Sequence, residues 1–366
     1  MKTAIFHQAL DNIGGAEIVT LTLARGLEAD IYTTNINREK IIAFGFEDIL
    51  PRLRSIGQIP VKAPFRQQLA LRKFRSLDLS GQYDRFVISG DWAVGAAVNN
   101  HPNVWYAHGP LDELWEFKNQ VRGEALAWWM RPIFDIWTAT NRKLVKRYAR
   151  HVDRWVCNSK NVRKRILKIF GSEATVIYPP IETNHYRYEK PKGYWLSVNR
   201  LVGHKRIEIQ LEAFRNMPDK RLVIAGSYEK GARQFESYKQ KLERLKPENV
   251  TLLHWVSDEE LKTLYAECIG FLTTAEREDF GMTAVEAMAA GKPVIAPDDG
   301  GYRESVIQDK TGVLVHEMDA ERLAEAVKTI DLKLQSDPLR YRDACCARAK
   351  EFDADTFIKK MNSLLP

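Results

Sequence analysis

Short apolar runs alternate along this chain with longer stretches in which apolar residues recur at helical spacing. Thr3–His7 reads as a first buried strand, Gln8–Gly15 as a loop closing on two glycines, and Ala16–Leu27 as a helix; Asp30–Thr34 follows as a second strand. That is a βαβ opening. Arg85–Ser89, Val104–Ala107 and Asp153–Cys157 continue the strand pattern. Asn158-Ser159 then caps a helix over Val162–Phe170, and Ala174–Ile177 ends the series. Tyr178-Pro179-Pro180-Ile181 is stiff and extended, which places a domain boundary there.

The alternation resumes beyond the prolines. Tyr194–Asn199, Arg221–Ala225, Val250–His254 and Ile269–Thr273 read as strands, and Ile207–Phe214, Glu236–Leu245 and Asp258–Tyr265 as the intervening helices. A second parallel sheet is the consequence. Gly312–Val315 is a final short strand and Ala320–Ile330 a helix, and further helices run from about Leu339 onward. The division expected is residues 1–178 plus a terminal helix at about 352–366 packing back, and 179–351. A chain of 366 residues, 45% hydrophobic, can fill two such cores.

The stretch Ala275–Gly301, AEREDFGMTAVEAMAAGKPVIAPDDGG, stands out. An acidic loop ending in Glu278 and Asp279 leads through Phe280-Gly281 into a helix of small and apolar residues, with Glu286 about one turn inside. Gly291-Lys292-Pro293 stops that helix before a buried strand, Val294-Ile295-Ala296. This puts one carboxylate at a loop tip, free backbone amides at a helix start, and a second carboxylate deeper along the helix. A helix start welcomes phosphate. Upstream, Arg200 and Lys205 sit on a strand-to-helix loop, where two cations are either solvated or neutralise an anion. Gly14-Gly15 lets a ligand approach the backbone at the mouth of the first strand, and His108 falls at a strand's carboxyl end, the ligand-binding edge of open parallel sheets.

Charge adds a different feature. The formal charge is +7, and from Lys118 to Lys168 fourteen basic residues stand against three acidic ones. A second basic patch spans Arg52–Arg75. Such a bias favours anionic partners. Leu111–Arg150 combines its cations with Trp115, Trp128, Trp129 and Trp137, which suits either packing against the first domain or contact with an anionic membrane surface. No run approaches the roughly 20 apolar residues of a membrane span, and the N-terminus turns polar too soon for a signal peptide; a cytoplasmic protein is expected, with peripheral contact at the inner membrane face left open. Cys157, Cys268, Cys345 and Cys346 lack zinc-type spacing and are taken as reduced thiols. Asp353-Ala354-Asp355 begins a terminal helix, where Asp is a good cap, and no metal is assigned to it.

The string Glu278-Asp279-Phe280-Gly281 through Glu286 to Ile295, followed by Gly300-Gly301 and Glu304, resembles the donor-binding signature of the retaining glycosyl transferases group 1. Gly14-Gly15-Ala16-Glu17 resembles the same family's N-terminal loop, so the likeness runs over nearly the whole chain. It implies an α/β GT-B fold, two Rossmann-like parallel-sheet domains facing a cleft. It implies that Arg200 and Lys205 hold a diphosphate, helped by backbone at Gly15 (beside Gly14) and at Phe280, Gly281, Met282 and Thr283. Glu278 would bond sugar hydroxyls, Glu286 the ribose, and His108 the sugar near the reacting carbon. The chain looks most like mannosyltransferases that use GDP-mannose, with a glycan or lipid-linked acceptor, no cofactor and no nucleic-acid partner. Retention would need no enzyme nucleophile, and cations would replace a metal. Two other classes stay open: a nucleotide-sugar epimerase of the same fold, and a non-enzymatic basic protein binding anions or nucleic acid. Neither a zinc finger nor an RNP-type aromatic motif supports the latter.

Overall fold

The computed structural model describes residues 1–60, 65–109, 114–116, 118–227, 233–254 and 256–365. It divides into two compact units, Met1–Pro180 with Asp355–Pro366, and Ile181–Ala354.

The first unit is built on a seven-stranded sheet. Its strands are β1 (Thr3–Phe6), β2 (Asp30–Thr33), β3 (Leu53–Ser55), β4 (Arg85–Ile88), β5 (Asn103–Ala107), β6 (Arg154–Cys157) and β7 (Thr175–Val176). They lie in the order β3-β2-β1-β4-β5-β6-β7, and every pairing is parallel. The runs β1, β4 and β5 are buried along their whole length, as a sheet covered by helices on both faces requires. Beneath them Phe6 stacks on Phe86 at 5.7 Å and Trp105 meets Trp155 at 4.6 Å. Such rings dominate core energetics through the area they bury. β3 has only three residues, two of them exposed, which is why hydrophobic patterning does not announce it.

The second unit carries β8 (Trp195–Arg200), β9 (Leu222–Ser227), β10 (Val250–Leu253), β11 (Phe271–Leu272), β12 (Val294–Pro297) and β13 (Gly312–Val315). Their order is β10-β9-β8-β11-β12-β13, again all parallel. In each sheet the order runs one way from the first strand and then the other way. The reversal falls between β1 and β4 in one unit and between β8 and β11 in the other. Loops leaving the carboxyl ends of those strands diverge, and the crevice they leave is where open α/β sheets bind ligands.

The chain passes between the units at two places that lie side by side in the second one. Ile181 donates its amide to the Phe352 carbonyl at 2.9 Å, and Ala354 donates to the Ile181 carbonyl at 3.1 Å. The Asp353 carboxylate accepts from the Thr183 hydroxyl and, at 3.5 Å, from Lys350, so it serves this crossing. The terminal helix Ala354–Leu364 then rests on the first unit: Phe357 meets Tyr106 edge-on at 5.6 Å, and Arg85 donates to Asn362 at 2.9 Å. The four cysteines are free.

Phe357 is 1% exposed. Its replacement by Ala is expected to cost the first unit about 3–5 kcal/mol through lost burial and the cavity left behind. Hydrogen exchange should show amide protection falling in β5 and β6 while β8 to β13 keep theirs.

Candidate functional site

At the strand reversal of the second unit two loops are tied to each other by their backbones. Glu276 donates its amide to the His204 carbonyl at 3.1 Å, and Arg206 donates Nε to the Thr274 carbonyl at 2.8 Å. The Thr274 hydroxyl lies 2.7 Å from the Lys205 carbonyl and accepts from Gln210 Nε2 at 2.9 Å. These clamps set the positions of the side chains above them. Lys205 Nζ donates to Glu278 Oε2 at 2.6 Å, a salt bridge with both side chains less than a quarter exposed. Burial, the largest single influence, pushes the Glu278 carboxyl up, but the charge and hydrogen bond of Lys205 together with the charges of His204 and Arg200 outweigh it, and the pKa is held below the ordinary value. His204 is driven down to about 4, by burial first and then by Lys205. Arg200 stands exposed at the end of β8. Direct pairing of Lys205 with Glu278 is a contact that spacing alone does not predict, since the two lie 73 positions apart.

The acidic loop is held from behind by glycines. Gly301 donates to the Glu278 carbonyl at 2.9 Å, and a Cβ on Gly301 would lie 2.2 Å from Phe280 Cα. No other residue fits there. Gly281 caps the helix Met282–Ala289 at φ 85°, a left-handed conformation, and a Cβ on it would strike the Tyr302 ring at 2.4 Å. The Phe280 ring is buried against Phe352 at 5.3 Å, so only its backbone can serve a ligand. The first-turn amides at Met282 and Thr283 have no carbonyl one turn back to receive them, which is the property an anion uses. One turn along, Glu286 Oε2 accepts from the Tyr265 hydroxyl at 2.8 Å. Burial raises its carboxyl to about 7; the Tyr265 hydrogen bond lowers it and Asp258 raises it further.

In the first unit, the loops leaving β1 and β4 carry His7 and Ser89. His7 Nε2 lies 3.2 Å from Glu17 Oε1, and its Nδ1 lies 3.1 Å from Thr20 Oγ1. Thr20 Oγ1 meets Ser89 Oγ at 2.6 Å, and Ser89 Oγ meets His108 Nε2 at 2.9 Å. Asn158 donates Nδ2 to the His108 carbonyl at 2.5 Å. Burial, then His7, drives the His108 imidazole down to about 3, against the opposing pull of Glu17 and the Ser89 backbone. It is neutral at ordinary pH. The other oxygen of Glu17 accepts from the Gly14 amide at 3.0 Å, the carboxylate half of a capping box whose other half a glycine cannot supply, so Gly15 opens the helix Gly15–Leu27 where patterning puts it in the loop. As site residues His7, Thr20, Ser89 and Asn158 escape a reading from sequence because each is ordinary where it stands, Thr20 inside the helix Gly15–Leu27 and the others just past β1, β4 and β6; the strand reversal between β1 and β4 is the signal that marks His7 and Ser89.

The Trp-rich segment does two things. Trp115 and Trp137 pack against the first unit's core, while Trp128, Trp129, Ile133 and Ile136 are exposed by 78, 59, 65 and 69% beside the helix Arg131–Ala149 or on it. Residues 111–113 and 117 of this segment lie outside the described residues. No described helix is long and apolar enough to cross a membrane. Among the described residues no three His, Cys, Asp or Glu side chains gather as a metal site.

Two parallel sheets of this strand order, each with its polar cluster at the reversal, define the GT-B class of nucleotide-sugar-dependent transferase folds. Known proteins agree. Residues 181–350 match the family described as Glycosyl transferases group 1, and residues 13–185 match Glycosyltransferase Family 4. The chain belongs to the group 1 glycosyltransferases. It is 26% identical over 373 aligned positions to the alpha-1,3/1,6-mannosyltransferase ALG2 of Candida glabrata, covering 84% of this chain and 78% of that one. With the enzyme of the same name from Dictyostelium discoideum it shares 28% over 195, covering 43% of this chain and 46% of the relative, so the match spans about half that relative's length. The structure superposes on Anabaena HepE in complex with UDP and glucose with a TM-score of 0.76 at 20% identity, covering 100% of this chain and 99% of the other. Sucrose-phosphate synthase from Thermosynechococcus elongatus gives 0.73 at 18%, covering 100% and 98%. Both show the shared fold.

Replacing Gly281 by Ala forces a Cβ into the Tyr302 ring and a left-handed φ on a residue that disfavours it, with an expected loss of about 1–3 kcal/mol read by denaturant unfolding. Glu286 yields a pH prediction. Its raised pKa means that the folded chain holds the proton as pH climbs from the ordinary carboxylate range to about 7. A ribose diol would donate to the ionised form, so if Glu286 meets the ribose, as the resemblance implies, nucleotide binding should release a proton at about pH 6 and tighten as pH rises through 7. Calorimetry in two buffers of different ionisation heat measures that release, and Glu286→Gln should abolish it.

Proposed function

We propose that this chain transfers a mannosyl residue from GDP-mannose to a glycan or lipid-linked acceptor, with retention of anomeric configuration. The observation that carries the proposal is the Lys205–Glu278 pair, with Arg200 beside it, at the strand reversal next to the start of the helix Met282–Ala289. Arg200 and Lys205 would take the diphosphate together with the amides of Met282 and Thr283. Diphosphate charge drawing on Lys205 would free Glu278 to accept from sugar hydroxyls. Ligand binding thus exchanges one ion pair for another instead of burying bare charge. Glu286 would accept from the ribose, and His108 would meet the sugar near the reacting carbon.

Cations placed at the leaving diphosphate supply the charge stabilisation that a metal gives elsewhere, and they need no reorganisation when the bond breaks. The leaving phosphate oxygen would help take the acceptor's proton on the face it departs from, so no enzyme nucleophile is required. Mannose is favoured by the mannosyltransferases among the relatives; UDP in the Anabaena structures names the competing base. Exposed Trp128, Trp129, Ile133 and Ile136 beside Arg131, Lys143 and Arg147 suit an anionic membrane surface carrying a lipid-linked acceptor.

A panel of GDP- and UDP-sugars tests the donor: GDP-mannose should raise the melting temperature most, and its transfer product should show the donor's anomeric configuration by NMR. Full activity lost to chelator and restored by manganese would overturn the metal-free reading. Glu278→Gln should lower transfer a hundredfold or more, about 2.7 kcal/mol of barrier, with the unfolding midpoint little changed. For the surface, replacing Trp128 and Trp129 by Ser should weaken cosedimentation with anionic vesicles while activity on a soluble acceptor persists.

A further inference from the structure

The hydrogens in the buried cluster around His108 can be counted. Thr20 has one hydroxyl hydrogen and three polar neighbours: the Ala16 carbonyl at 2.8 Å, His7 Nδ1 at 3.1 Å and Ser89 Oγ at 2.6 Å. A carbonyl only accepts. If Thr20 spends its hydrogen on Ala16 or on His7, Ser89 must donate to Thr20. Ser89 then has no hydrogen left for His108, so the 2.9 Å contact is made by His108 Nε2–H donating to Ser89 Oγ. The reverse direction, with Thr20 donating to Ser89, leaves two oxygens 2.8 Å apart at Ala16 with no hydrogen between them, which costs free energy in a buried site.

We propose that Thr20 and Ser89 are positioning residues that fix His108 as its Nε2–H tautomer, leaving Nδ1 a lone pair able to accept from a substrate hydroxyl. The same chain continues through His7 and Glu17 to the Gly14 amide, so the tautomer of His108 is tied to the loop that opens the first helix. His108 then recognises a hydroxyl by accepting its hydrogen, and it does not donate a proton to the sugar. The catalytic half of this statement rests on the reading that His108 touches the donor sugar; the tautomer does not.

The test is tautomer-sensitive long-range proton–nitrogen NMR on the full chain labelled at histidine, with His108 assigned by loss of its signals in His108→Gln. The wild-type chain should show Nε2 protonated and Nδ1 bare at neutral pH. In Thr20→Val, Ser89 loses its acceptor and turns its hydrogen to His108, so the pattern should shift towards Nδ1–H. Thr20→Ser should restore the wild-type pattern, and Ser89→Ala serves as an independent break in the chain if the valine variant does not fold. Transfer should fall tenfold or more in Thr20→Val and recover in Thr20→Ser. A wild-type pattern with Nδ1 protonated, or one unchanged by both breaks, overturns the relay. A tautomer shift with transfer unaffected keeps the relay and rejects the contact of His108 with the sugar.

Discussion

The structure depends on the parallel pairing of strands whose order reverses once in each sheet. A parallel sheet buries both faces, so its central strands are mostly apolar and carry little chemistry of their own. Polar work is pushed to the loops at the carboxyl ends. Where the order reverses, adjacent loops leave in opposite directions, and side chains from two strands can meet over the opening between them. The charged cluster of the second unit and the His108 cluster of the first both stand at that point. Neither arises from neighbours in sequence. Lys205 reaches Glu278 because β8 adjoins β11, and His7 and Ser89 meet at the Thr20 hydroxyl because β1 adjoins β4.

The two clusters differ in how they hold charge. In the second unit a cation and an anion satisfy each other while partly screened by solvent, and an arriving anion can redistribute that pairing. In the first unit the groups are hydroxyls and imidazoles in a chain, and the buried carboxylate at its end is satisfied by a helix cap and His7. Its order comes from counting: once Thr20 spends its one hydrogen on Ala16 or on His7, Ser89 and His108 each have one direction left. The first arrangement suits binding and release of a charged group, and the second suits fixed orientation of a neutral one.

Much of this was legible in the chain. Apolar runs bounded by turn residues locate twelve of the thirteen strands among the described residues, because burial on both faces favours continuous hydrophobicity. β3 was missed since its exposed residues carry no such pattern. The acidic loop, the glycine cap and Glu286 could be placed because Gly281 and Gly300-Gly301 answer steric needs that sequence displays. The state of Glu286 could not be read, since it follows from Tyr265 and from burial created by distant segments. His7, Thr20 and Ser89 were invisible for a related reason: each is ordinary alone and acquires meaning from its partners. Of the tryptophans between Leu111 and Arg150, Trp115 and Trp137 pack inward and Trp128 and Trp129 are exposed, a split that their spacing does not reveal.

Phe280 joins two parts of the second unit that serve different ends. Its backbone shapes the turn into the helix at Gly281, while its ring leans on Phe352, whose carbonyl receives the Ile181 amide where the chain enters and leaves the unit. A guest that stiffens the turn therefore also stiffens the doorway through which the polypeptide passes twice. Mechanical tension applied along the chain at that doorway would reach the turn into the helix through the packing of these two rings.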